Sequence, residues 1–278
     1  MIFGYSTLGF GSGGRAYDQD AILHFKRMQS SNLSLLDAIN TLIVTLKFYG
    51  IWTLLDCIAV VCDNENDSLL NLKGATYDAT NVNGAVFTVD RGFDPILVGT
   101  DGSNPGYINT NLIVNGTTLA SDHDNSQFIY QRTTNSTNNS YLMGVVNSNP
   151  FALIYNGGNT PDNIGFFSNL WGTPNIDYDA AVGFIGGSRR PTADYTTAGD
   201  ADIRVNGSVV NSSNSYTNVP IDAYPIFVGA GNNLGSPNSV AVGHQLAAWG
   251  IGAGLSTIQH ANLEAAIQTY MAARGAAV

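Results

Sequence analysis

The chain has little charge, and cations are the scarcer kind. Of its 278 residues 12% are charged, and 11 Lys and Arg stand against 21 Asp and Glu, a formal net charge of −10. Charged residues are usually about a quarter of a globular domain. So few cations leave no basic surface to neutralise a run of phosphates, which argues against nucleic-acid binding. Glutamate is scarce as well: Glu65 and Glu264 are the only two, and every other acidic residue is an aspartate. Aspartate favours turns and caps where glutamate favours helix faces, so the acidic residues themselves point to strands and turns.

Cysteine is limited to Cys57 and Cys62. They share one apolar run, and a spacing of five directs them to opposite faces of a strand, so no disulfide is expected between them. Stability then has to come from a packed core or from assembly, which fits folding in a reducing cytoplasm. No run reaches the roughly 18 apolar residues needed to span a bilayer. The start, MIFGYSTLGFGSGG, has neither the basic n-region nor the continuous apolar h-region of a secretory signal.

What the chain does have is 44% hydrophobic residues, 31 glycines and abundant Asn, Ser and Thr. Residues 1–16 scatter Phe3, Tyr5 and Phe10 among glycines and small residues and read as an arm that cannot fold alone. Residues 17–50 read as a helical attachment segment. Ile22, Phe25 and Met28 fit one helix face between Asp18 and Gln29. Leu35, Leu36, Ile39, Leu42, Ile43 and Leu46 mark a second helix, with Ser34 as its N-cap and Gly50 at C′. Residues 51–278 read as one β-rich domain with a terminal helix. About eleven short strands are expected there, among them Leu54 to Val61, Ala85 to Val89, Phe128 to Arg132, Ala181 to Ile185, Ala201 to Val205 and Leu246 to Gly250, which means a sandwich or barrel. Val-Asn-Gly at 82–84, 114–116 and 205–207 suggests tight hairpin turns, most clearly in DIRVNGSVV. Ser256 and Gln259 form a capping box for a last helix whose stripe is Leu263, Ala266, Ile267, Tyr270 and Met271.

Most motifs that could carry chemistry fail on context. Gly9, Gly11 and Gly14 match G-x-G-x-x-G, but no buried strand precedes them, so no nucleotide site is expected. Asp63-Asn-Glu-Asn-Asp67 and Asp122-His-Asp124 lack the remaining ligands of a calcium or zinc site and read as solvated strand-end loops; no metal or cofactor is expected. There is no G-x-S-x-G, the cysteines sit in an apolar strand, and His244 reads as structural or surface. The two glutamates are too far apart in sequence to form an E-x-D-x-x-E pair on one strand, and Asp177-Tyr-Asp179 is the nearest aspartate pair, in a loop-like stretch. No catalytic residue is assigned. Trp171, Tyr178, Arg189 and Arg190 stand among the loops of the β-region, where aromatics stack on sugar faces and arginines grip polar groups, and they are the first candidates for a glycan site; the alternative is that Trp171 covers a sandwich edge and the arginines pair with aspartates.

The stretch AYDQDA, the run GIWTLLDCIAVVCDNENDSLLNLKGATYDATNVNGAVFTVDRGF, and the terminal AWGIGAGLS and LEAAIQTYMAA together resemble phage-encoded proteins with a concanavalin A-like lectin/glucanase domain. The sharpest parts are Leu69-Leu-Asn-Leu72, Thr80 with Val82-Asn83, and Phe87-Thr-Val-Asp-Arg-Gly-Phe93. The resemblance implies a mainly β fold, a jelly-roll β-sandwich with an N-terminal arm, two N-terminal helices and a C-terminal helix. It also implies a virion protein made in the host cytoplasm, on the tail or its fibres, with attachment to a host-surface glycan. The alternative is a capsid decoration protein, and less favoured is a polysaccharide-degrading enzyme. Its expected partners are other virion proteins, through the arm and helices, and further copies of itself. Fold does not fix function, and no catalytic or binding residue carries over.

Overall fold

The structure is a computed structural model that describes residues 16–98, 104–134, 139–148, 150–156, 163–168, 175–177, 182–190, 201–213 and 220–278. The chain opens with α1 (Gln19–Phe25) and α2 (Leu33–Phe48), followed by a 3-10 turn at Trp52–Leu54. It continues through β1 (Leu55–Val60), the short α3 (Glu65–Ser68), β2 (Thr80–Val82), β3 (Val86–Thr88), β4 (Gly92–Asp94), β5 (Ile96–Val98), β6 (Asn104–Ile113) and β7 (Asn125–Gln131). Next come β8 (Asn139–Val145), β9 (Phe151–Asn156), β10 (Asn163–Ser168), β11 (Asn175–Asp177), β12 (Gly183–Arg189), β13 (Ala201–Val205) and β14 (Ser208–Ser213). The last elements are β15 (Pro225–Val228), β16 (Gly231–Asn233), β17 (Ser236–Asn238), β18 (Leu246–Gly252) and α4 (Thr257–Ala273). The arm expected over 1–16 lies outside the described residues apart from Ala16.

The strands form the two sheets of a jelly-roll sandwich. One runs β14-β13-β12-β7-β18-β4-β3, with β1 beside β18, and the other runs β11-β10-β9-β8-β15-β6-β2. The chain crosses repeatedly between sheets, so sequence neighbours often sit in different layers. Pairing spans long distances: Leu55 on β1 faces Gly252 on β18, and Phe227 on β15 faces Asn109 on β6.

Two cores flank the first sheet. Between the sheets, Ile129, Ile185, Ile203, Trp249 and Ile251 meet Leu112, Leu142, Leu153, Ile164, Phe166, Ile226 and Val228. On the far face, Ile58, Val60, Phe128, Tyr130 and Phe184 meet Leu35, Ile39, Leu42, Ile43 and Leu46 of α2 and Leu263, Ile267 and Met271 of α4. Strand β7 is therefore buried along its whole length, with Ile129 serving one core and Phe128 and Tyr130 the other. Burying one such side chain contributes on the order of 1.5–3 kcal/mol. Helix α2 belongs to this second core, so the helices expected within 17–50 are a layer of the fold.

The local signals are realised with some shifts. Asn32, not Ser34, caps α2, its side chain accepting from the Ser34 amide; Gly50 follows the helix at φ +67°. The Ser256–Gln259 capping box is formed in both directions. Cys57 lies in the sandwich core and Cys62 in the helix-side core, and both thiols are free. Asn206 and Gly207 both take positive φ and join β13 to β14 as a hairpin. Asn83 and Gly84 also take positive φ, yet they lead from β2 in one sheet to β3 in the other. Asn115 and Gly116 do not; there Thr118 N donates to Asn115 O at 3.1 Å in a different turn.

Candidate functional site

Trp171 and Tyr178 lie outside the described residues. Arg189 and Arg190 do not form one exposed patch. The strand expected to end at Ile185 runs on to Arg189, and successive strand residues point to opposite faces. Ile185 faces the sandwich core, which puts Arg189 on that same side, fully buried, with Nη1 donating to the Asp122 carbonyl at 2.7 Å. Arg189 thus belongs to the interior. Arg190 turns to the helix-covered face, where it remains 31% exposed with Nη2 3.8 Å from Asp202 Oδ2.

Asp202 begins a polar constellation on that face. On β13, Ala201, Ile203 and Val205 enter the sandwich core, so Asp202 and Arg204 project the other way, under α4. Arg204 Nη2 lies 3.0 Å from Asp202 Oδ2. From α4, His260 and Glu264, one turn apart, project towards them. His260 lies over Gly186, the register partner of Arg204: a Cβ added to Gly186 would come 2.4 Å from His260 Cε1. Its ring meets Phe184 edge-on at 5.6 Å. Glu264 reaches the β13–β14 turn, where its carboxyl group lies beside Gly207.

The electrostatics follow from burial. Exposure is 1% for His260, 2% for Arg204, 7% for Asp202 and 8% for Glu264. Burial first, then the charges of Arg204 and Arg190, push the His260 pKa to about 3, so its imidazole is neutral. Burial raises the Glu264 carboxyl, while the Gly207 amide and Arg204 act in the opposite direction. Among the described residues, His260 Nδ1 and Nε2, Arg204 Nε, Asp202 Oδ1 and Glu264 Oε2 find no hydrogen-bond partner. Unspent donors and acceptors at such depth are uncommon, because each costs roughly 1–3 kcal/mol without a partner. The site offers guanidinium donors, carboxyl acceptors and a neutral imidazole that can do either.

The sequence carries a signal for this cluster. In DIRV the polar residues alternate with apolar ones, and His260 and Glu264 share a helix face, but nothing local shows that the helix lies across that strand.

The other polar clusters hold the fold together. Asp67 Oδ1 and Oδ2 accept from the amides of Gln29 (2.7 Å) and Ser30 (2.8 Å), and Asp63 pairs with Arg274. Asp122 Oδ1 accepts from Ile221 N (3.1 Å), and Asp124 Oδ1 from Gly254 N (2.7 Å). In place of the solvated loops expected from the sequence, Asp67, Asp122 and Asp124 satisfy backbone amides and Asp63 pairs with an arginine. His244 is buried between Ser140 Oγ (3.3 Å) and Gln131 Oε1 (3.2 Å) and is structural. Among the described residues no group of three or more His, Cys, Asp or Glu could hold a metal ion, and no helix is long and apolar enough to cross a membrane.

No protein-family model matches the sequence, and no curated protein matches it either. Among solved structures, the botulinum neurotoxin serotype D binding domain matches 78% of this chain and 51% of its own at 13% identity and a TM-score of 0.47. Domain 4 of AbnA, an extracellular arabinanase from Geobacillus stearothermophilus solved with arabinotriose, matches 76% of this chain and 98% of its own at 14% identity and a TM-score of 0.44. The NanB sialidase, from Streptococcus pneumoniae, matches 51% of this chain at 15% identity and a TM-score of 0.38, and the match spans 24% of the NanB chain.

Proposed function

We propose that this chain is a non-enzymatic, lectin-like glycan-recognition domain carried on the surface of a phage particle, with its ligand seat at Arg190, Asp202, Arg204, His260 and Glu264. The observation that carries this reading is the convergence of five polar side chains from β13, α4 and the residue just after β12, four of them more than nine-tenths buried, with hydrogen-bonding atoms left unspent. A sugar matches that need, since each hydroxyl both donates and accepts, and planar guanidinium groups pair with vicinal hydroxyls or a carboxylate. Arg190 forms the accessible rim. The particle location rests on the sequence resemblance alone.

A glycan array probed with the full chain tests the reading. Binding to a defined glycan class is expected, weakened at least tenfold by Arg190→Ala and by Glu264→Gln. Retention of full affinity in both variants would move the seat elsewhere. Incubation with the bound glycan should release no reducing sugar; release would make Asp202 and the raised Glu264 a hydrolytic pair instead. Mass spectrometry of purified particles tests the location.

A further inference from the structure

Asn-Gly occurs four times, at 83–84, 115–116, 156–157 and 206–207. Such a pair is chemically labile, because glycine has no Cβ to shield its amide nitrogen from the side-chain carbonyl carbon before it. The structure separates the pairs by what holds each asparagine side chain; Gly157 lies outside the described residues. Asn206 is clamped at both ends, with Nδ2 donating to Val182 O at 2.7 Å and Oδ1 accepting from Phe184 N at 2.9 Å. Asn83 Nδ2 donates to Pro105 O at 3.1 Å. At Asn115 both contacts fall on the carbonyl oxygen, where Thr117 N donates to Oδ1 at 2.9 Å and Thr117 Oγ1 at 2.7 Å. Asn115, Gly116 and Thr117 are exposed, and among the described residues neither Asn115 Nδ2 nor the Gly116 amide has a partner.

We propose that Asn115-Gly116 is a self-modifying site, where Asn115 deamidates through a cyclic imide ahead of the pairs at 83–84 and 206–207. The Thr117 N–H contact to Oδ1 closes a ring of atoms that contains Asn115 Cγ and the Gly116 nitrogen, so the side chain is folded back over the amide that attacks it. Water or hydroxide takes the Gly116 amide proton, and the nitrogen bonds to Cγ. The Asn115 carbonyl, in the same peptide unit as this nucleophile, accepts from Thr118 N at 3.1 Å, which favours the deprotonated form. Negative charge then develops on Oδ1, where the two Thr117 donors already point, an arrangement that stabilises a tetrahedral oxyanion. Collapse breaks the Cγ–Nδ2 bond, and the amine leaves as ammonia with a proton from water. A second water opens the imide. Attack at Cγ gives aspartate, and attack at the Asn115 backbone carbonyl carbon gives an isoaspartyl link with one more methylene in the main chain. Either product adds a negative charge to the loop between β6 and β7. Aspartate keeps the turn, because its carboxylate accepts more strongly from the same two donors. The Leu119 and Ala120 amides, held by Asp56 at 2.7 and 2.8 Å, confine the isoaspartyl distortion to the loop.

The test incubates the full chain at mildly alkaline pH, native and in urea, and follows Asn83, Asn115 and Asn206 by peptide mass spectrometry. In the native chain Asn115 should convert roughly tenfold faster than the other two, yielding both aspartyl and isoaspartyl peptides. In urea the three, each within Val-Asn-Gly, should convert at comparable rates. Thr117→Val keeps the backbone donor and removes the hydroxyl, and should slow Asn115 roughly threefold in the native chain while leaving its rate in urea unchanged. Gly116→Ala should slow it in both states, because a Cβ then shields the nucleophile. Equal native rates at the three sites, or an Asn115 that keeps its amide while Asn83 or Asn206 converts, would overturn the proposal. So would an unchanged native rate in Thr117→Val, or the same tenfold preference persisting in urea, which would assign the selectivity to sequence alone.

Discussion

Arg204 and Asp202, two residues apart on β13, form an ion pair of 3.0 Å on the face turned away from the sandwich core, with side chains only 3% and 10% exposed. At that depth a pair is weak evidence of stability, but breaking it leaves the buried Asp202 with only the partly exposed Arg190, 3.8 Å away. Arg204→Ala should therefore destabilise the fold by about 3–5 kcal/mol, read from urea unfolding. A loss below about 1 kcal/mol would mean that water reaches the site freely.

The caps can be checked independently of the site. Asn32→Ala removes the acceptor for the Ser34 amide and should cost about 1 kcal/mol, as should Ser256→Ala, which breaks the box on α4. Ser34→Ala should cost clearly less than Asn32→Ala. The reverse order would return the cap to Ser34.

The three Val-Asn-Gly turns should respond differently to one change. Gly207 sits at φ +82°, so Gly207→Ala is strained and should cost on the order of 1 kcal/mol. Gly116 lacks a left-handed φ, and a Cβ added there would meet nothing within 4 Å, so Gly116→Ala should be neutral or slightly stabilising. Equal effects in thermal unfolding would contradict the assigned turn geometries.

Stability should fall with acid through the buried histidines. Burial, aided by Arg27 at His24 and by Arg204 and Arg190 at His260, holds both pKa values at about 3 against a usual 6.5. The unfolded chain takes up these protons below pH 6.5 and the folded chain only near pH 3, so stability present above 6.5 is lost progressively between the two. Asp56, Asp94 and Glu264, raised by burial, act in the opposite sense: the folded chain binds their protons first, so their contribution grows as pH falls through their folded values. The urea midpoint of the His260→Leu variant should fall less steeply between about pH 7 and pH 4 than that of the unaltered chain. Identical slopes would count against a buried neutral imidazole.

Burial pushes both thiols up to about 12, and a thiol reagent needs the thiolate. Neither Cys57 nor Cys62 should label in the native chain at about pH 8, and both should label in urea. Rapid native labelling of either one would place it outside its core.

How much of this is legible in the sequence depends on how local the cause is. The face of α2 is readable because Leu35, Ile39, Leu42 and Leu46 recur at helical spacing, and the opposite burial of Cys57 and Cys62 because strand side chains alternate. The Asn206-Gly207 hairpin is readable because its strands are adjacent in sequence. Val82-Asn83-Gly84 has equally good turn chemistry, yet whether such a turn closes a hairpin or changes sheets depends on what lies beyond it. Arg189 and Arg190 look like one patch only if their strand ends four residues early, at Ile185, where glycines follow the apolar run.

By itself the sequence determined the period of the helices, the turn-rich β character and the absence of a cysteine framework, all set by residues within a few positions of one another or by composition. Only the tertiary structure decided that β1 pairs with β18, that the first sheet has a core on each face, and that His260 and Glu264 lie over Asp202 and Arg204. Those outcomes depend on how the whole chain divides its apolar surface between two layers of packing, a balance struck between residues up to about two hundred positions apart, and no local window contains it.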